Sequence, residues 1–453
     1  MFAKFWFWEE LMKKFLMAAV AVVSFGAVSG TAYAAPCDGD DITWIIPFSE
    51  GGGSGKWARF WAPLVSEQLG QNVIVEYMPG AGSTLGANHF QNEVEGDGCT
   101  IFGSSGSTQF PYLLGDDRVE YEYRDWQVMI ATPTGGVVYT TPEIAGAGME
   151  NASLSYGSQG ATSLDLVPLL AFELLGYNVE PIFGLKGRSA GRAAFLAGET
   201  TIDYQTSSAY ISNIAPVVEA GEAVALMSWG AVDANGDIVR DPTFPDLPHF
   251  TEVLSATNPA ALDTPAYAAW KAFFTAGFAA QKMVFLPGDA SADDVATITA
   301  AFEAATMVDG FGEASAKRLG VYPQGIGAGA KVLLEKALDV DDTSLMFVKS
   351  WLKDAYGVEL YFLSGLVLLV EGLILSINPS VPSAVFLDQF TQGNTPYGRV
   401  TEPFLRLCAD PPAGRAHVCF LRCIDGDRAW YSARFGWHCR HVDPHCRSDT
   451  VPS

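Results

Sequence analysis

The feature that most narrows what this chain can fold into is the stretch Ile42–Arg59, ITWIIPFSEGGGSGKWAR. Ile42, Trp44, Ile45 and Ile46 form a short β-branched and aromatic run that reads as a buried strand, and Pro47 ends its ladder. Gly51, Gly52 and Gly53 let the backbone approach a ligand with its N–H groups turned inward. Ser54 is the expected N-cap of a helix whose buried stripe is Trp57, Trp61, Leu64, Val65 and Leu69. A strand that delivers glycines to a helix N-terminus makes an anion site, because unpaired amides and the positive end of the helix dipole meet there. The stretch therefore predicts a carboxylate or phosphate held at Phe48–Gly55.

Two familiar nucleotide motifs fail here. A P-loop needs Gly where Glu50 stands and Ser or Thr where Trp57 stands. In Pro79–Gly86 the third glycine comes one residue too late for a dinucleotide fingerprint. A third motif matches in letters: Gly187-Arg188-Ser189-Ala190-Gly191 has the G-x-S-x-G form of a hydrolase elbow. His89 and His249 are the only histidines between residues 35 and 360, so a triad would need His249. The serine hydrolase is kept as the alternative from another class, beside a ligand sensor subunit that would use the same pocket. The preferred reading has Arg188 and the Gly187 backbone complete an anion pocket, and no enzyme activity is expected.

The chain begins as an export signal. From Met12, two lysines, an apolar core from Phe15 to Val28 and the small-x-small site Ala32-Tyr33-Ala34 predict a signal peptide over residues 1–34, cleaved after Ala34. Glu9 and Glu10 suit a signal poorly, which points to Met12 as the true start. The protein is then expected in the periplasm. Residues 1–360 hold 12 Lys and 7 Arg against 43 acidic residues, a balance of −24 that argues against nucleic acid and anionic membrane surfaces as partners. Residues 361–453 differ in kind: 8 Arg, no Lys, 8 acidic residues and five of the seven cysteines.

Strand-like and helix-like segments alternate through the body, which predicts an α/β protein with largely parallel sheets. Leu154–Tyr156 opens into Gly157-Ser158-Gln159-Gly160-Ala161-Thr162-Ser163 and an apolar helix, repeating the strand, small-residue loop and helix start of Ile42–Arg59. Two such termini facing one another across a cleft would grip both ends of a dianion.

The succession IPFSEGGGS, YMPGAGSTLGA, DGCTIFGSSGS, YGSQGATS, LKGRSAG with GETTIDY, and FPDLPHFTEVL resembles the substrate-binding proteins of tripartite tricarboxylate transporters over roughly residues 41–330. The resemblance implies a type II periplasmic binding protein, two α/β lobes that close like a flytrap on a small organic acid, with a two-subunit membrane permease as partner. No cluster of His, Cys or paired carboxylates in the body offers a metal site, no cofactor is expected, and the chain is expected to act as a monomer. Carried over by position, the ligand falls to Phe48, Ser49, Gly52, Gly53, Ser54, Gly82 and Ser83. Ser104, Ser105 and Ser107 match the serine-rich turn. In the second lobe it falls to Gly160, Ala161, Thr162, Lys186 and Gly187. Three positions depart from the pattern: Gly55 stands for an Asp, Met78 for an Arg, and Thr206 for an acidic residue. Losing acidic groups makes the pocket friendlier to anions.

The resemblance places the chain crossings near Thr132–Thr134 and Met227–Trp229. Lobe one is then residues 35–131 plus 228–360, and lobe two residues 132–227, with the last helices packed on lobe one. Cys37 and Cys99, the only cysteines of the mature body, are read as a disulfide. In the tail, Phe362–Ile377 is short for a membrane span and contains Glu371. The spacings of Cys419, Cys423, His438, Cys439, His441, His445 and Cys446 match no standard zinc site. Residues 361–453 read as read-through, frameshifted or disordered sequence that carries no function.

Overall fold

The computed structural model describes residues 35–233 and 235–360, together with the backbone of four strands between residues 404 and 441. The signal segment 1–34 and Phe362–Ile377 lie outside the described residues. The body has its strands in the order β1 (Ile42–Ile46), β2 (Val73–Tyr77), β3 (Thr100–Ser104), β4 (Gln127–Thr132), β5 (Gly136–Thr140), β6 (Ser153–Gly157), β7 (Asn178–Ile182), β8 (Ile202–Thr206) and β9 (Val224–Ser228). The short hairpin of β10 (Ala231–Val232) and β11 (Ile238–Val239) follows, then β12 (Lys282–Leu286) and β13 (Gly325–Ile326).

Apart from the β10–β11 hairpin, these strands build two sheets, one for each α/β lobe. The first has the order β13-β4-β12-β3-β1-β2 and the second β7-β6-β8-β5-β9. In the first, β1, β2, β3 and β4 run one way and β12 and β13 the other. In the second only β5 runs against the rest. The chain leaves the first sheet at Thr132 and enters the second at Gly136; after β9 it next joins the first sheet at Lys282.

Parallel strands covered on both faces read as continuous apolar runs, and β1 is buried at four of its five residues. One face of the first sheet packs Ile42, Trp44 and Ile46 on Trp57, Trp61 and Phe302. The other packs Ile45 and Phe102 on Phe90, Trp126 and Phe285. The second sheet packs Leu154, Tyr156 and Ile202 on Leu170, Phe172 and the aromatic helix Pro265–Phe278. The two closing helices divide between lobes: Ala328–Ala337 lies on β4, whereas Val348, Trp351 and Leu352 of Asp342–Tyr356 join the core of the second sheet. The sequence expectation had put both on lobe one. Asp342–Tyr356 packs along the aromatic helix Pro265–Phe278, whose Trp270 and Phe274 share its core.

Cys37 and Cys99 are joined, tying the segment before β1 to the residue before β3. Among the described residues no helix is long and apolar enough to cross a membrane. In the tail, the strands Phe404–Asp410, Arg415–Ile424, Asp427–Arg434 and Trp437–His441 form an antiparallel meander. The tail thus holds strands where disorder was one of the alternatives the sequence left open. The alternation of Ala416, Val418 and Phe420 with more polar neighbours is the two-residue period that reading passed over.

Candidate functional site

The candidate site is assembled from helix N-termini left without side-chain caps. Gly52 is the N-cap of the helix Gly53–Leu69 and has no side chain to offer its amides. In the second lobe Gly187 stands in the same position before Arg188–Leu196, and Thr206 precedes Ser207–Asn213 without making a cap bond. The three ends meet. A Cβ on Gly53 would overlap Thr206 Oγ1, and one on Gly187 would stand 2.5 Å from Ser49 Oγ. Each N-terminus carries roughly half a positive charge, so their convergence favours an anion.

Direct bonds join the first lobe's loops to the second lobe's. Ser49 Oγ lies 2.6 Å from Ser189 Oγ, and the Ser49 N–H donates to Lys186 O at 3.4 Å. Arg192 Nη2 donates to Gly51 O at 3.2 Å and Ser208 Oγ to Gly53 O at 3.3 Å. Further along the cleft, Ser107 Oγ accepts from the Leu164 N–H at 3.1 Å. Thr162 Oγ1 donates to Asp116 Oδ2 at 2.7 Å and accepts from Arg118 Nη2 at 2.8 Å. Burial works to raise the Asp116 carboxyl, but hydrogen bonds from Arg118 and Thr162 outweigh it and hold it below its ordinary value.

The residues expected at the site separate into three groups. Ser49, Gly52, Gly53, Ser54, Gly187, Ser107 and Thr162 stand at the contacts just described or in the same uncapped turn. A Cβ on Gly82 would stand 3.9 Å from Ser163 Cβ, beside Ser83, whose hydroxyl donates to Thr108 Oγ1 at 3.1 Å. Gly160 and Ala161 form the turn between β6 and Thr162, the Gly160 N–H donating to Ser158 Oγ at 3.2 Å. Phe48 is buried behind the first loop, in the core with Trp57, and Lys186 is exposed, contributing its carbonyl.

Two assignments are corrected. The Ser104 hydroxyl pairs with Tyr123 Oη at 2.5 Å inside the first lobe, and Ser105 caps its own helix by accepting from the Ser107 N–H at 3.2 Å. Arg188 is neither a pocket cation nor a surface residue. Its guanidinium is buried between Asp203 and Asp165, over the rings of Tyr156 and Tyr204 at 4.9 and 4.7 Å. Burial alone would lower its pKa, but Asp165 and the surrounding groups hold it above the usual arginine value. The hydrolase alternative is not assembled either: Ser189 pairs with Ser49, while His249 caps a helix, its Nε2 3.7 Å from Glu252 and its Nδ1 without a partner.

Sequence reasoning missed Asp116, Arg118, Ser208 and Lys282. Lys282 opens the apolar strand β12, is 3% exposed, and donates from Nζ to Ser54 Oγ at 2.9 Å. Its signal was a single charge heading the apolar run Met283–Leu286. The departures at Gly55 and Thr206 gain a physical reason. A side chain at residue 55 would strike the Glu50 carbonyl, and an acidic residue at 206 would stand against Gly53 at the converging helix ends. Among the described residues no group of three His, Cys, Asp or Glu is placed to hold a metal ion.

Residues 57–270 match the tripartite tricarboxylate transporter family receptor. That match spans a little under half of the chain and takes in every strand of the second sheet. It is 28% identical over 263 residues to the UPF0065 protein in the gbd 5′ region of Cupriavidus necator, covering 55% of this chain and 76% of the relative. The fold is that of the periplasmic binding protein BugD, with a TM-score of 0.53 and 20% identity over 71% of this chain and 98% of BugD. MatC from Rhodopseudomonas palustris shares it, with a TM-score of 0.51 and 17% identity over 67% of this chain and 99% of MatC.

Proposed function

We propose that the receptor captures a small organic acid, a di- or tricarboxylate, in the periplasm and delivers it to a two-subunit membrane permease. The observation that carries this reading is the meeting of three uncapped helix N-termini from both lobes, where Gly53 and Gly187 face Thr206, Ser208 and Ser49 and, among the described residues, no acidic side chain. Glu50, the one acidic residue of the first loop, is instead tied to Arg59 at 3.2 Å. The open form takes the acid on the first lobe, and closure adds the second lobe's amides and hydroxyls at Gly187, Ser189, Thr206 and Gly160–Thr162 and excludes water. Two proteins of the same fold support a carboxylate ligand: MatC is described with bound malate, and an R. palustris protein, 18% identical with a TM-score of 0.50, with adipate.

The test is a thermal-shift screen of the chain against citrate, succinate, malate, adipate, glutamate and terephthalate. A ligand at a hundredfold excess over its Kd adds about 2.7 kcal/mol of stability. One acid class should raise the melting temperature clearly. A cooperative melt that no acid shifts would refute the reading, and turnover of an ester lost in Ser189→Ala would replace it with the hydrolase.

A further inference from the structure

The uncapped helix end of the first lobe contains a buried lysine that no carboxylate among the described residues pairs with. Lys282 pairs with Thr132 across β12 and β4, at the point where the chain leaves the first sheet. From there its side chain reaches Ser54 in the first turn of Gly53–Leu69, and Ser54 Oγ is its hydrogen-bond acceptor. An ammonium has three donors, and a buried one ordinarily sits beside a carboxylate. Among the described residues Lys282 forms no ion pair with an acidic side chain. Arg188 and Arg118, by contrast, are both paired with aspartates.

We propose that Lys282 is the charged anchor for one carboxylate of the captured acid, acting through the turn that Ser54 and the amides of Gly53 and Gly55 form. The inference rests on the solute-binding reading above and adds the residue that supplies the counter-charge. An acid entering this turn would meet the Lys282 amino group, charged as the carboxylate arrives, together with unpaired N–H groups, and both kinds of donor strengthen when water is excluded. A neutral ligand would leave the ammonium without a counter-ion, so the same residue selects for acids.

A proton is coupled to the event. With no ligand present, burial pushes the Lys282 ammonium down to about 7. Strands β3 and β4 beside it carry no titratable side chain; the helix that bears Ser54 carries Lys56, Arg59 and Glu67. At the chain crossing Asp241 is bonded to Tyr322 at 2.7 Å. None of these groups sets the Lys282 titration, which burial alone governs. A carboxylate brought beside it reverses the shift, so binding at pH 8 should draw in close to one proton per ligand.

The experiment is calorimetry of the full chain and of Lys282→Met with succinate, malate and citrate, at pH 8 in buffers of different ionisation enthalpy. The expected result is proton uptake by the wild type, and in Lys282→Met an affinity about thirtyfold lower or worse with no uptake. Wild-type affinity in a folded Lys282→Met refutes the anchor and leaves the solute-binding reading standing. Binding by the wild type without proton uptake does the same, and needs no variant to fold. A wild type that binds none of the three acids, or any acid of the screen, overturns both readings.

Discussion

Arg188→Met separates scaffold from site at a position where the sequence pointed to the site. The wild-type guanidinium donates to Gly157 O at 2.5 Å and to Tyr204 O at 3.1 Å, besides its ion pairs with Asp203 and Asp165. Both aspartates are fully buried. Asp165 also accepts from Tyr156 Oη at 2.9 Å and from the Gln159 N–H at 2.6 Å, so Arg188 ties the turn of the Gly160–Thr162 loop to β8. Methionine fills much of the volume but strands two carboxylates in the second lobe's interior. Breaking a buried pair from one side costs about 3–5 kcal/mol, and the lost ring contacts add roughly 1 kcal/mol. A native protein holds only about 5–15 kcal/mol in all. Urea unfolding should therefore show a loss of about 4 kcal/mol or an early separate transition, with binding lost as the lobe loosens. A variant with the wild-type midpoint and no acid binding would refute the reasoning and return Arg188 to the pocket.

Gly53→Ala tests closure: its methyl would overlap Thr206 Oγ1 only when the lobes meet, so affinity should fall at least about tenfold while the melting point without ligand stays unchanged. Calorimetry beside a melting curve reads both, and unchanged affinity would mean that Gly53 and Thr206 do not approach in the bound form. Cys37→Ser removes a cross-link between residues 62 apart, which chain entropy values at about 4 kcal/mol. Denaturant midpoints with and without reductant check this: equal stability of the oxidised wild type and the variant would refute the cross-link's role.

The first loop was legible because its signal is local. A β-branched run, a proline, three glycines and an aromatic stripe lie within 18 consecutive residues of the sequence, and each fixes the next. The same holds for Gly157–Ser163. What stayed hidden depends on partners far along the chain. Arg188 reads as an anion ligand until Asp165 and Asp203 are seen beside it, and Ser104 reads as one of three equivalent serines until Tyr123 takes its hydroxyl. Ser49 and Ser189 lie 140 residues apart, and Lys282 is 228 residues from Ser54. No window of sequence contains those pairs.

Charge supplies the last step. Residues 1–360 carry a balance of −24, yet the proposed ligand is an anion. At physiological ionic strength the screening length is about 8 Å, so the body's negative surface is weakened over the distance from which an acid arrives. Inside the closed cleft the order of effects is reversed: water is excluded, screening falls away, and the nearest groups decide. Those groups are helix N-termini, hydroxyls and Lys282, while Glu50 is held by Arg59 and Asp116 by Arg118. A strongly acidic protein can therefore hold an acid, provided that the carboxylates beside its cleft are kept paired and a buried lysine without a carboxylate partner sits where the helix ends converge.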